Sequence, residues 1–289
     1  VSVIGLARKD VLDISRSRMV WGLTGVFTLF SVLGVSLFAL LGVEEASAIR
    51  AAEAIAFPSI LLVPLAAIVV GYMAVVGERR SGNLRLLLGF PVSRGAVVAG
   101  KVVARTVVVA GSIAVAFAVA GGVGFALYGG FSVLRYAGFA LATVGLGVAF
   151  VGLAVGISAS VRSRGKALAL AVGAYFLLVL FWQLIAGGAY YAVTGTVPGV
   201  EVPAWYLVLE RLSPSMAYQV LVESALGAPV QASIFSIRPP DAMTATAAEQ
   251  LGGGPVPVSL STSASALVLA LWSVVPAAVG YWRFRASDL

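Results

Sequence analysis

Six long apolar stretches constrain this chain more than any other feature. Met19–Val43, Ala54–Gly77, Thr106–Tyr128, Tyr136–Val161, Ala167–Val193 and Ser263–Trp282 each run for 20 residues or more without one Asp, Glu, Lys or Arg. A helix rises about 1.5 Å per residue, so about 20 apolar residues cross a hydrocarbon core about 30 Å thick. With no water at that depth, each segment must satisfy its backbone groups internally, as a helix does. The fold expected is an all-α polytopic membrane protein with six transmembrane helices, built as a single domain over residues 1–289. Pro58 and Pro64 are expected to kink the second span, which membrane helices tolerate. The composition agrees: 60% of residues are hydrophobic and 11% charged, where a soluble domain carries about 25% charged residues.

Orientation follows from the loops. Residues 1–18, the connector 78–105, the turn 162–166 and the tail after 282 share one side and hold 15 of the 19 Lys and Arg residues. The other side holds Arg50, Arg135, Arg211 and Arg238 with 8 of the 12 acidic residues. Basic residues collect on the cytoplasmic side, so both termini are expected in the cytoplasm of a cell-membrane protein. The formal charge of +7 is then a topology signal, and no nucleic-acid partner is expected.

The first residues, Val1 to Arg18, set Val3, Leu6, Ala7, Val11 and Ile14 against Arg8, Lys9, Asp10, Asp13, Arg16 and Arg18. That spacing describes an amphipathic interfacial helix whose basic face suits an anionic bilayer surface. A signal peptide is the rival reading. The apolar run that follows is too long for a signal core and long enough to span, which favours an uncleaved first span. The one long loop, 194–262, is expected outside. Its first half, 198–227, carries Trp205, Tyr206 and Tyr218 around Pro214 and suits short helices at the outer interface. Its second half, 228–262, is rich in Pro, Ala, Ser, Thr and Gly and is expected to be flexible.

Several chemistries are excluded by what is missing. The chain has no Cys and no His, which removes disulfides, thiol chemistry, zinc sites and imidazole catalysis. Met19, Met73, Met216 and Met243 are the available soft-metal ligands. Ion-coupled carriers place ionisable groups within their spans; here Gln183 and scattered Ser and Thr are the strongest polar groups. An intramembrane enzyme is disfavoured for the same reason, and the energy for any transport is expected on another subunit. Gly95–Lys101 reads G-x-x-x-x-G-K, but Val102 stands where a phosphate-binding loop needs Ser or Thr, and an apolar span follows. No catalytic residue, cofactor or metal is expected in this chain.

Two stretches remain as candidate sites. The connector from Glu78 to Lys101, ERRSGNLRLLLGFPVSRGAVVAGK, is too polar to span and too rich in leucine to be a solvated loop. It is expected to lie as a short helix on the inner membrane face. Leu84, Leu87 and Leu88, spaced i, i+3, i+4, are natural anchors for a protein groove. Arg79, Arg80 and Arg85 can pair with a partner's acidic groups or hold the segment against anionic lipid. In the fourth span Gly138, Ala142, Gly145, Ala149, Gly152 and Gly156 recur at steps of four and three, a small-residue stripe that lets membrane helices approach closely. It serves packing within the chain or a subunit contact.

The chain resembles the membrane subunits of type-2 ABC exporters. The likeness rests on Arg8-Lys9-Asp10 before the first span and on the connector G-E-x-x-x-G-x-L-x-L-L-L-x-x-P-V-S-R followed by a glycine-lysine. Gly77, Glu78, Gly82, Leu84, Leu86, Leu87, Leu88, Pro91, Val92, Ser93, Arg94, Gly100 and Lys101 carry it. Within that family the likeness is nearest to the branch serving nitrous oxide reductase maturation. The resemblance implies a permease without ATPase activity of its own, and a coupling helix between spans 2 and 3 comprising Glu78–Phe90. Glu78, Arg79, Arg80, Gly82, Leu84, Arg85, Leu87, Leu88, Pro91 and Arg94 would form the docking surface. It also implies a separate ABC ATP-binding subunit holding ATP and magnesium, a second permease copy, and an external accessory protein. A non-transporting membrane anchor for an ATPase and a secondary transporter are the alternatives.

Overall fold

Serine starts most of the long helices and glycine ends three of the segments. The computed structural model describes residues 3–42, 48–81, 93–130, 132–230, 235 and 237–286. Ser17 separates α1 (Val3–Ser15) from α2 (Arg18–Leu40), its hydroxyl accepting from the Met19 amide at 3.3 Å. Ser93, Ser132, Ser163 and Ser261 cap α5 (Arg94–Tyr128), α6 (Val133–Ser160), α7 (Arg164–Tyr175) and α13 (Thr262–Arg285) in the same way. Each hydroxyl satisfies one of the amides that a helix start leaves without a partner. Gly129 follows α5 in the left-handed conformation, at φ +70°, where a side chain would be strained.

Between these lie α3 (Ala48–Gly71), α4 (Val76–Ser81), α8 (Trp182–Thr194), α9 (Ala204–Arg211), α10 (Pro214–Leu226), α11 (Pro240–Thr244) and α12 (Ala247–Gln250). The described residues are helical or irregular, with no strand among them. Among the described residues, five helices are long and apolar enough to cross a membrane, and the bent pair formed by α7 and α8 makes a sixth if it is one span. The chain is thus a multi-pass, all-helical membrane protein. Helix α6 sits at the centre, packed on α3, α5, α10 and α13, and its pairing with α13 is the most extensive in the bundle.

Three elements go beyond the sequence expectations. The second span stays helical through Pro58 and Pro64, and a break at 72–75 separates it from α4. Ser158 of α6 holds that break: its hydroxyl accepts from the Val75 and Val76 amides at 3.0 and 3.1 Å. The fifth apolar run is not one straight helix. A π-helical turn, Phe176–Leu180, joins α7 to α8 with a bend of 64°. No proline lies there. The Ser213 hydroxyl, at the start of α10, donates to the Leu178 carbonyl at 2.8 Å, and the Trp182 indole donates to the Leu209 and Glu210 carbonyls, each at 3.1 Å. The bend is therefore held by tertiary hydrogen bonds that local sequence does not reveal.

The third is the second half of the long loop. Its described part carries α11 and α12 and is tied to α9 by an Arg238–Glu210 ion pair of 3.2 Å, with both side chains less than a tenth exposed. Arg238 also donates to the Val200 carbonyl at 3.1 Å, and the Tyr206 hydroxyl donates to Glu210 at 2.9 Å. Burial pushes the Glu210 carboxyl above its ordinary range, while Arg238 and Tyr206 pull it back in part.

Candidate functional site

The two ends of the connector meet at one end of the bundle. Upstream, α4 carries Glu78 and Arg79. Downstream, α5 begins at Arg94 and is 35 residues long, or about 52 Å at 1.5 Å per residue. That exceeds the hydrocarbon core by about 20 Å, so its first turns, bearing Arg94, Lys101 and Arg105, extend beyond the apolar part of the bundle.

A polar knot joins these ends to α1. The Lys101 ammonium lies 2.6 Å from Asp10 Oδ1 and also pairs with Glu78 Oε1. Arg105 reaches Asp10 Oδ2 at 3.4 Å. The side chains of Lys101, Asp10, Glu78 and Arg105 are 10%, 13%, 22% and 11% exposed, so the charges are largely shielded and depend on one another. Gly100 makes this contact possible. A methyl group added there would lie 3.2 Å from Leu6 Cβ and 3.5 Å from the Val3 carbonyl oxygen. The glycine-lysine pair thus lets α1 approach through its glycine and holds it through its lysine.

A second clamp closes on the C-terminal end of α13. Phe284 is fully buried. The Arg79 guanidinium lies 4.7 Å from the centre of its ring, and that of Arg94 lies 5.5 Å from it, within cation–π range. Arg94 Nη1 also donates to the Phe284 and Arg285 carbonyls at 3.0 and 2.9 Å, two of the acceptors left open where a helix ends. Arg79 makes a longer bond of 3.5 Å to the Val161 carbonyl. Residues on both sides of the connector therefore grip α13, while the knot grips α1.

Of the connector residues singled out in the sequence, Glu78, Arg79 and Arg94 are brought together here. Arg80 is described only by its backbone, in α4. Gly82, Leu84, Arg85, Leu87, Leu88 and Pro91 lie outside the described residues. The fourth-span glycines face different neighbours. Gly138 lies against Ala225 of α10 and Gly145 against Leu269 of α13. A methyl group at Gly152 would fall 2.7 Å from the Ser273 carbonyl carbon, and one at Gly156 would lie 2.9 Å from the Ala277 nitrogen. The α6 and α13 backbones touch there, a contact that only glycine permits. Sequence reasoning missed the pairing of Asp10, Lys101 and Arg105, and the parts played by Ser158 and Phe284. Lys101 and Arg105 flanking three apolar residues on the same helix were the available signal.

A central apolar bundle, uncharged along its spans and with an ion-paired knot at the base of one connector, defines a multi-pass membrane protein. A family model described as "ABC-2 family transporter protein" matches residues 4–289, and the chain belongs to that family. It is 28% identical over 295 residues to a protein of Pseudomonas aeruginosa named "Probable ABC transporter permease protein NosY", covering 98% of each chain. It is 29% identical over 195 residues to a protein of the same name from Stutzerimonas stutzeri, covering 63% of this chain and 68% of that one.

Proposed function

We propose that this ABC transporter permease works as the membrane half of an exporter. Two copies face each other, and ATP hydrolysis on a separate ATP-binding subunit, docked on the connector, drives them. ATP and magnesium belong to that subunit, and this chain contributes a path and a lever without chemistry of its own. In this reading both termini and the connector are cytoplasmic, and α1 lies on the membrane surface with Ile4, Arg8 and Leu12, all exposed, facing the headgroups.

The observation that carries this reading is the double clamp at the connector base. Force applied to the connector reaches α5 directly, because α5 is continuous from Arg94 into the third span. It reaches α3 through α4, across the break that Ser158 holds. Lys101, Asp10 and Glu78 share it with α1, and Arg79 and Arg94 share it with α13. One input is thus distributed to several helices, as a switch between two packed arrangements requires. Its likeness to permeases named NosY supports a place in nitrous oxide reductase maturation, with an accessory protein meeting the opposite face.

Photo-crosslinking in intact membranes containing the cognate ATP-binding subunit tests the docking assignment. Photoreactive residues at Leu84, Leu87 and Leu88 are expected to capture that subunit, and one at Val133, at the other end of the bundle, is not. Capture from Val133 with none from the three leucines would overturn the proposal.

A further inference from the structure

At the end of the bundle opposite the connector, α6, α10 and α13 enclose an open trough of about 550 Å³. Its floor and sides are made of small residues: Gly138, Gly145, Ala225, Ala266 and Ala270, with Leu221 closing one side. Leu141, also in the lining, is mostly exposed. Each of its two serine hydroxyls has a partner. Ser273 donates its hydroxyl to the Leu269 carbonyl at 2.8 Å, and Ser224 accepts from Thr262 at 3.5 Å. Water in such a trough would lack the partners that ordered water needs.

Length and charge identify the occupant. The part of α6 that lines the trough runs from Gly138 to Val148, about 15 Å at 1.5 Å per residue. That is half of a hydrocarbon core about 30 Å thick, the depth of a single leaflet. One turn before Gly138, at the level where headgroups begin, Arg135 is exposed. Its guanidinium donates Nη1 to the Leu226 carbonyl at 3.2 Å, which seats the cation at the end of the α10 wall. Two copies paired on this face about an axis normal to the membrane would place two Arg135 side chains at the same depth. The trough residues include no acid to separate them.

We propose that this trough binds one acyl chain of a phospholipid from the leaflet on the α10 side, with Arg135 meeting its phosphate. The apolar trough supplies the contact area, and the guanidinium supplies a charge-assisted bond that selects a phosphate-bearing lipid over a neutral one. The inference rests on the chain spanning a membrane and not on which side is cytoplasmic.

Native mass spectrometry of the delipidated full chain, titrated with phosphatidylglycerol or with dioleoylglycerol, tests it. The parent protein is expected to hold one phosphatidylglycerol per chain and to prefer it about tenfold over the diacylglycerol. Ala266→Leu with Ala270→Leu fills the trough from two exposed positions and should abolish tight binding while leaving the melting temperature unchanged. Arg135→Gln keeps the trough and should lose the phosphate preference alone. Parent-like phosphatidylglycerol binding by the filled variant would overturn the proposal. So would an Ala266→Cys disulfide between two copies in native membranes, because a second copy would then cover the trough.

Discussion

Replacing Lys101 with methionine keeps an unbranched side chain and removes the ammonium that holds three elements together. Glu78 then loses the Lys101 ammonium, and Asp10 keeps Arg105 at 3.4 Å. Removing one partner from a buried ion pair costs about 3–5 kcal/mol. Glu78, at 22% exposed, regains part of its hydration, which places the expected loss near the lower limit, about 3 kcal/mol. At 1.4 kcal/mol per factor of ten, the equilibrium holding α1 on α5 shifts about a hundredfold. A disulfide reports that equilibrium directly in a chain without native cysteine. A methyl group at Gly100 lies 3.2 Å from Leu6 Cβ, close to the spacing of about 3.5–4.5 Å that a disulfide needs. Leu6→Cys with Gly100→Cys should cross-link rapidly under mild oxidation in the parent and far more slowly with Lys101→Met. Adding Glu78→Gln to Lys101→Met removes one acid from the knot while keeping the Arg105–Asp10 pair, and should restore part of the rate. Cross-linking and melting of Lys101→Met at parent values would refute the view that the knot holds α1 in place.

Three further outcomes follow from the same geometry. Gly152→Leu must push α6 off the Ser273 backbone and should cost on the order of 1–3 kcal/mol or more of detergent stability, read as a lowered melting temperature; Leu153→Ile, a volume-conserving swap at a buried position, should cost less than about 1.5 kcal/mol. Arg238→Met strands the buried Glu210 carboxylate and removes a group that lowers its pKa, so that pKa climbs further. A carboxyl whose folded-state pKa is raised favours the folded state more as pH falls through that pKa. The protease sensitivity of segment 237–250 in Arg238→Met should therefore exceed the parent's at pH 7.5, and the excess should shrink as the pH is lowered toward 5. Single cysteines replacing Arg94 or Arg164 should resist a membrane-impermeant reagent added to intact cells, while those replacing Arg211 or Asp241 should react; the reverse pattern would invert the topology.

Helices with a clean local signal were legible in the sequence. The runs in α2, α5, α6 and α13 are charge-free across a full bilayer thickness, and serine or glycine at their ends sets their limits. The fifth run was legible as apolar and not as bent. Its bend contains neither proline nor a charge, and it is held by Ser213 and Trp182 through contacts 27 to 35 residues distant in sequence. The loop after residue 228 is equally opaque, because it is tied in by contacts such as that of Arg238 with a glutamate 28 residues upstream. Around the connector, Glu78 and Lys101 stood out by their pattern, but Asp10, the second acid on Lys101, lies across the first two spans. A pairing of that kind is a property of the packed bundle and leaves no local periodicity to read.

The central question is whether the connector carries the contact with an ATP-binding subunit. Leu87→Asp puts a charge into that contact, where an unpaired buried charge costs several kcal/mol, and leaves all six apolar stretches untouched. The measurement is co-purification of the ATP-binding subunit with tagged Leu87→Asp from membranes in which the variant inserts at parent levels. Loss of the subunit from an otherwise normally inserted permease is the predicted result. Retention in full stoichiometry would contradict the account and move the docking surface elsewhere, with the turn 162–166 the next candidate.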